Sequence, residues 1–144
     1  MGKKVVIIGG VAGGASVAAR TRRLDEAAEI IMFEKGPNVS FSNCCLPNHL
    51  SGMIKNSEDL VLMTPDVFKK QYNITARVNQ EVVGINPEQQ TVQIKDLQTG
   101  KEYEESYDAL FMAPGANPIV PKISGYDKAH VFSVKNVVDI DKIN

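Results

Sequence analysis

The stretch Lys4-Val5-Val6-Ile7-Ile8-Gly9-Gly10-Val11-Ala12-Gly13-Gly14 decides how this chain is read. A short β-branched run bounded by charge and glycine is the pattern of a strand buried on both faces of a parallel sheet. The glycine cluster then stands where a strand must turn sharply into a helix. Alanines and spaced apolar residues predict that helix from Gly13 to about Leu24, and Glu29 to Glu34, with Ile30-Ile31-Met32-Phe33 inside it, predicts a second strand. Together they make a strand, helix, strand unit.

A glycine turn in that position is a dinucleotide fingerprint, and Gly9, Gly10, Val11, Ala12, Gly13 and Gly14 are its candidate binding residues. The first N–H groups of the following helix have no backbone acceptor and carry partial positive charge, so they hold a pyrophosphate without needing a lysine. Glu34 closes the second strand about twenty residues on, where the fingerprint places an acid that accepts from the adenosine ribose hydroxyls. Its carboxylate disfavours a 2′-phosphate. Val11 stands where the strict pattern has its second glycine, which predicts a different edge of approach for the pyrophosphate. The bland alternative is a tight turn in an α/β protein that binds nothing.

Outward from this unit, Lys35 to Asn48 is irregular and holds Pro37, Ser40, Ser42, Asn43, Cys44 and Cys45, with a short helix expected near Cys44. Thr64-Pro65-Asp66 reads as an N-cap with proline at the first helical position, so a helix is expected from Pro65 to about Tyr72. Ile74 to Val78, Glu81 to Ile85, Thr91 to Lys95 and Glu102 to Tyr107 alternate apolar with polar residues around turn signals at Asn86-Pro87 and Thr99-Gly100. They predict a strand followed by an antiparallel meander. Ala109 to Met112 is a last buried strand, stopped by Ala113-Pro114-Gly115-Ala116-Asn117-Pro118, and the tail from Ser133 reads as a capped helix or linker. The expected fold class is α/β, a Rossmann-like parallel sheet with a glycine-rich βαβ unit plus an antiparallel β-meander.

A length of 144 residues suits one domain but is short for a catalyst that must hold two nucleotides. Lys and Arg total 16 against 17 Asp and Glu, a balance that points away from nucleic acid and from anionic membranes. The only cysteines are neighbours, Cys44 and Cys45, which neither staple distant segments nor supply a metal site, so cytoplasmic redox chemistry is favoured over secretion. Lys3-Lys4 and the apolar stretch after it imitate a signal peptide, but glycines interrupt that stretch and Arg20, Arg22 and Arg23 follow directly. No apolar run is long enough to cross a bilayer.

Ser40-Phe41-Ser42-Asn43-Cys44-Cys45-Leu46-Pro47, after the glycine turn and Phe33-Glu34-Lys35, resembles the coenzyme A disulfide reductases, a single-cysteine branch of the pyridine-nucleotide disulfide oxidoreductases. Arg22-Arg23-Leu24-Asp25, Glu104-Glu105-Ser106-Tyr107-Asp108 and Pro114-Gly115-Ala116 extend the resemblance along the chain. It implies that Cys44 is the redox centre and forms a mixed disulfide with coenzyme A. Attachment at a helix N-terminus is expected to favour its thiolate. The resemblance implies FAD as cofactor, with Lys35, Asn43, Val82, Ala113, Pro114 and Gly115 joining the fingerprint residues, and coenzyme A against Ser16, Arg20, Arg23, Ser40 and Asn43.

Cys45 stands where a small glycine or alanine is expected; it reads as a small residue packed under the helix, with a resolving thiol as the alternative. His49 reads as a polar loop residue, with a catalytic base as the alternative, and Tyr103 as a packing residue. Family chains continue with an NAD(P)H domain and a dimerisation domain, and no second glycine fingerprint follows residue 14. Residues 1–144 are thus expected to be a partial FAD-binding domain of a homodimeric protein, inactive alone and prone to self-association. The rival functions are NADH oxidation by oxygen, NADH-dependent persulfide reduction, and, from another class, a nucleotide-binding module without catalysis.

Overall fold

In the computed structural model, which describes residues 2–143, the chain forms β1 (Lys4–Ile8), α1 (Ala12–Leu24), β2 (Glu29–Phe33), a 3-10 turn (Asn43–Cys45) that runs into α2 (Leu46–Leu50), a second 3-10 turn (Ser57–Leu60), α3 (Pro65–Tyr72), β3 (Ile74–Arg77), β4 (Gln80–Asn86), β5 (Thr91–Asp96), β6 (Glu102–Ser106), β7 (Ala109–Met112) and α4 (Val137–Asp141). The elements divide into two units. One comprises the chain up to Ser40 with Met63–Gly115, the other Phe41–Leu62 with the chain from Ala116 onward.

The first unit is the expected α/β fold. Its parallel sheet has four strands in the order β3-β2-β1-β7, with Val6 level with Ile31 on one side and Leu110 on the other. Successive side chains of a strand point to opposite faces, so β1 and β2 feed two cores. Val5, Ile7, Ile30 and Met32 pack with Ala18 of α1 and Phe68 of α3, while Val6, Ile31 and Phe33 pack with Val92 and Ile94 of β5. Each such fully buried apolar side chain contributes about 1.5–3 kcal/mol, which is why the run shows no polar alternation.

Thr64 caps α3 by accepting from the Val67 N–H at 3.3 Å, with Pro65 at the first helical position, and Asn73 ends the helix at φ 48°. Arg22, in the last turn of α1, donates to the carbonyls of Tyr72 at 2.8 Å and Asn73 at 3.0 Å, tying the ends of the two helices together. β3 then adds parallel to β2. The meander β4-β5-β6 is antiparallel, with a shift of register between Val82 and Gly84.

Arg77, the last residue of β3, joins sheet and meander. Its Nη1 donates to Glu105 Oε2 at 2.9 Å and to the Tyr103 hydroxyl at 3.3 Å, and its guanidinium lies 5.4 Å from the centre of the Phe33 ring. Lys4 pairs with the same Glu105 carboxylate. Tyr103 is half-buried against the second core.

In the second unit Phe41 and Val61 form an antiparallel bridge, and Leu46, Leu60, Val137 and Ile140 are buried with Phe41. The expected tail helix is α4, which carries a capping box: Asn136 accepts from the Asp139 N–H while the Asp139 carboxylate accepts from the Asn136 N–H. No helix among the described residues is long and apolar enough to cross a membrane.

Candidate functional site

In the first unit, the glycine turn is shaped by close backbone approach. Gly9 has φ +93° and donates to the Phe33 carbonyl at 2.8 Å; a Cβ there would lie 2.0 Å from the Ala113 oxygen. A Cβ on Gly14 would lie 1.7 Å from the Gly9 oxygen, so the third residue of the helix presses directly on the turn. Val11 has φ −96° and ψ −127°, outside the usual helical and extended regions but with negative φ, so the position does not demand the left-handed backbone that favours glycine. Ser40 returns to the turn in the left-handed region, φ 48°, with its N–H on the Gly10 carbonyl at 2.9 Å.

Glu34 is held more firmly than its position in the sequence implies. Its two carboxylate oxygens accept from the N–H groups of Gly10 and Gly36, both at 2.7 Å. Each oxygen has a second lone pair, so hydroxyl donors can still be accepted in this fixed orientation. Helix α1 starts with no side-chain cap and no acid in its first turn, which leaves its positive end open to an anion. The donor set and the uncapped helix start thus fit a dinucleotide diphosphate.

The remaining expected contacts in this unit have varied surroundings. Ala113 donates to the Ile8 carbonyl at 2.7 Å, and its Cβ lies 3.1 Å from where a Gly13 Cβ would stand, so β7 ends against the turn. Pro114 is exposed, and Gly115 has φ +69°. Val82 is half-buried against the second core, and Lys35 pairs with Glu81 at 2.7 Å. Ser16, Arg20 and Arg23 are exposed and spaced four and three residues apart, which aligns them on one stripe of α1.

In the second unit, the thiol segment is anchored by the Ser42 N–H on the Leu60 carbonyl at 2.9 Å and the Cys45 N–H on the Ser42 carbonyl at 3.2 Å. Cys44 is exposed, as is Asn43 beside it. Cys44 Sγ lies 3.3 Å from Ser42 Oγ and 3.9 Å from Cys45 Sγ. The Ser42 hydroxyl, followed by the Cys45 thiol, draws the Cys44 thiol below its ordinary pKa and outweighs a small opposing effect of burial.

Cys44 lies within the 3-10 turn ahead of α2 rather than at the start of that helix, and the Ser42 hydroxyl leads among the contacts that lower its pKa. Ser42 was absent from the sequence-based site, although a hydroxyl two residues before a thiol was a visible signal. Cys45 is half-buried. His49 is buried with Nδ1 2.8 Å from the Ile54 carbonyl oxygen, an arrangement that pins the loop after α2.

A first prediction follows from Ser42. Lowering the pKa enlarges the thiolate fraction at any pH below the ordinary thiol value, so Ser42→Ala shifts the pH profile of Cys44 alkylation upward. In a Cys45→Ser background, iodoacetamide labelling of Ser42→Ala is expected to be slower near neutral pH and equal in strongly alkaline buffer, where both thiols are fully ionised. Equal rates at every pH would remove Ser42 from the site.

Comparison with known proteins places this geometry. A family profile described as pyridine nucleotide-disulphide oxidoreductase matches residues 3–144. A coenzyme A disulfide reductase from Staphylococcus haemolyticus is 39% identical over 142 residues, which is 99% of this chain and 32% of that protein. The crystal structure of reduced CoADR-RHD from Bacillus anthracis superposes with a TM-score of 0.94 at 48% identity, covering 99% of this chain and 26% of the other. An NAD-dependent persulfide reductase from A. fulgidus gives a TM-score of 0.91 at 34% identity, covering 97% and 26%. The chain thus spans about a third or less of the length of these relatives. Since the family match runs across almost every residue, the chain belongs to the pyridine nucleotide-disulphide oxidoreductase family.

Proposed function

We propose that this chain is the FAD-binding portion of an NAD(P)H-dependent flavoprotein that reduces coenzyme A disulfide, or a coenzyme A per- or polysulfide, through Cys44. The observation that carries the reading is the exposed Cys44 thiol with the Ser42 hydroxyl 3.3 Å away, in a chain related to coenzyme A disulfide reductases. Thiol–disulfide exchange requires a thiolate with access to a sulfur of the substrate, and both conditions are supported here. The Cys44 thiolate attacks one sulfur, a mixed disulfide forms, and the other half of the substrate leaves as a thiolate.

FAD, when bound, supplies two electrons drawn from the nicotinamide to restore the cysteine. Gly9 to Gly14 and the start of α1 receive its pyrophosphate, and Glu34 accepts from its ribose hydroxyls. Lys35, Asn43, Val82 and Ala113 to Gly115 complete the cofactor contacts in this reading. Ser16, Arg20, Arg23, Ser40 and Asn43 hold coenzyme A, with the arginine forks suited to its phosphates.

Similarity to the persulfide reductase favours one rival, in which Cys44 takes the outer sulfur of a persulfide. The test is turnover by the full-length gene product loaded with FAD, offered coenzyme A disulfide, coenzyme A persulfide or oxygen as the sole acceptor. The expected result is NAD(P)H oxidation that is fastest with the disulfide. Oxidation only with oxygen would assign an oxidase, and FAD-free chain with no turnover at all would leave a nucleotide-binding module.

A further inference from the structure

Cys45 has no role in the reaction just described, yet its sulfur lies 3.9 Å from that of Cys44. Both belong to one 3-10 turn, Asn43–Cys45, whose backbone is fixed by the Ser42 and Cys45 N–H bonds. Cys44 faces solvent and Cys45 is half-buried, so an incoming disulfide meets Cys44 first. We propose that Cys45 is a resolving thiol, which attacks the Cys44 sulfur of the mixed disulfide and leaves a Cys44–Cys45 bond. The inference rests on Cys44 being the attacking residue of the proposed function.

The steps balance without an added oxidant. The Cys44 thiolate bonds to one sulfur of R–S–S–R and expels the first RS⁻. Cys45 then loses its proton to solvent, its sulfur bonds to Cys44 Sγ, the bond from Cys44 to the remaining RS group breaks, and the second RS⁻ departs. The substrate has gained two electrons and the two protein sulfurs have lost them.

Geometry favours the second step. The sulfurs are 3.9 Å apart, so closure needs no movement of a distant segment, only side-chain rotation together with distortion of the peptide between the two residues, and an intramolecular thiol competes with external thiols at a high effective concentration. The product is a labile bond. Adjacent Cα atoms are about 3.8 Å apart, whereas bridges prefer separations of about 4.4–6.8 Å. Strained bridges are the easily reduced ones. That suits a transient carrier of two electrons and is unsuited to a structural staple, so the half-buried cysteine in place of a glycine or alanine acquires a reason.

The experiment uses this chain, reduced and freed of reductant under anaerobic conditions, with one equivalent of 5,5′-dithiobis(2-nitrobenzoate). Wild type is expected to release about two coloured thiolates per reagent molecule and to end two hydrogens lighter, with no adduct and no covalently joined chains. Cys45→Ser is expected to release about one and to keep the thionitrobenzoate on Cys44. A wild-type chain that retains the adduct on Cys44, or that pairs with a second chain, overturns the inference while leaving Cys44 as the attacking thiol. A wild-type Cys44 that does not react at all overturns this inference and the proposed function together.

Discussion

Cys44→Ser in the full-length gene product is expected to lower disulfide-dependent NAD(P)H oxidation on the order of 10³-fold or more, as removal of a nucleophile does elsewhere, while FAD content per chain stays unchanged. The argument starts from ionisation. The Ser42 hydroxyl draws the Cys44 thiol towards its anion, but a serine hydroxyl in the same place stays neutral at any working pH and forms no mixed disulfide. The exchange of oxygen for sulfur is small, and position 44 is exposed, so packing is little disturbed. Flavin absorbance per chain separates lost chemistry from lost cofactor. Residual turnover by Cys44→Ser with an adduct on Cys45 would show the neighbour acting as a substitute nucleophile. An unchanged rate would end the redox assignment of Cys44.

The parts of this molecule that were legible in its sequence are those fixed by local spacing. The run Val5-Val6-Ile7-Ile8, the glycines after it and Glu34 have positions that chain geometry imposes on any strand, turn, helix and strand, and the structure returns each of them. Thr64-Pro65 and the turn at Thr99-Gly100 are local in the same sense. What was not legible depends on side chains meeting across long separations or on one torsion within a turn. Arg77, Glu105 and Lys4 come from three strands, and no alternation pattern announces that they share a carboxylate.

The thiol segment shows the second kind. Whether Ser42 turns back to Cys44 depends on the 3-10 conformation of Asn43–Cys45, which the spacing of apolar residues does not reveal. Glu34 combines both. Its place followed from spacing, but its grip on the Gly36 N–H depends on the bend after β2. The consequence is functional, since a carboxylate oriented before any ligand arrives loses less freedom when it accepts a ribose hydroxyl.

Gly14→Ala is expected to destabilise the chain by about 3–5 kcal/mol, placing it among the most damaging single substitutions. Two effects oppose each other at this position. Alanine in a helix interior is favoured over glycine by about 1 kcal/mol, and Gly14 is inside α1, so propensity alone predicts a gain. The added Cβ, however, would stand 1.7 Å from the Gly9 oxygen and 2.8 Å from the Gly9 carbonyl carbon. Those are backbone atoms, which cannot swing aside as the end of a long side chain can, so either α1 lifts from β1 or the turn opens. Either movement exposes apolar surface in the core that contains Ile7 and Ala18. Gly13→Ala is the control, because its Cβ meets only the Ala113 Cβ, at 3.1 Å. Urea unfolding of the two variants and wild type decides the matter: the midpoint of Gly14→Ala falls steeply while that of Gly13→Ala stays near wild type, and equal midpoints for Gly14→Ala and wild type would mean that helix and turn do not meet as described.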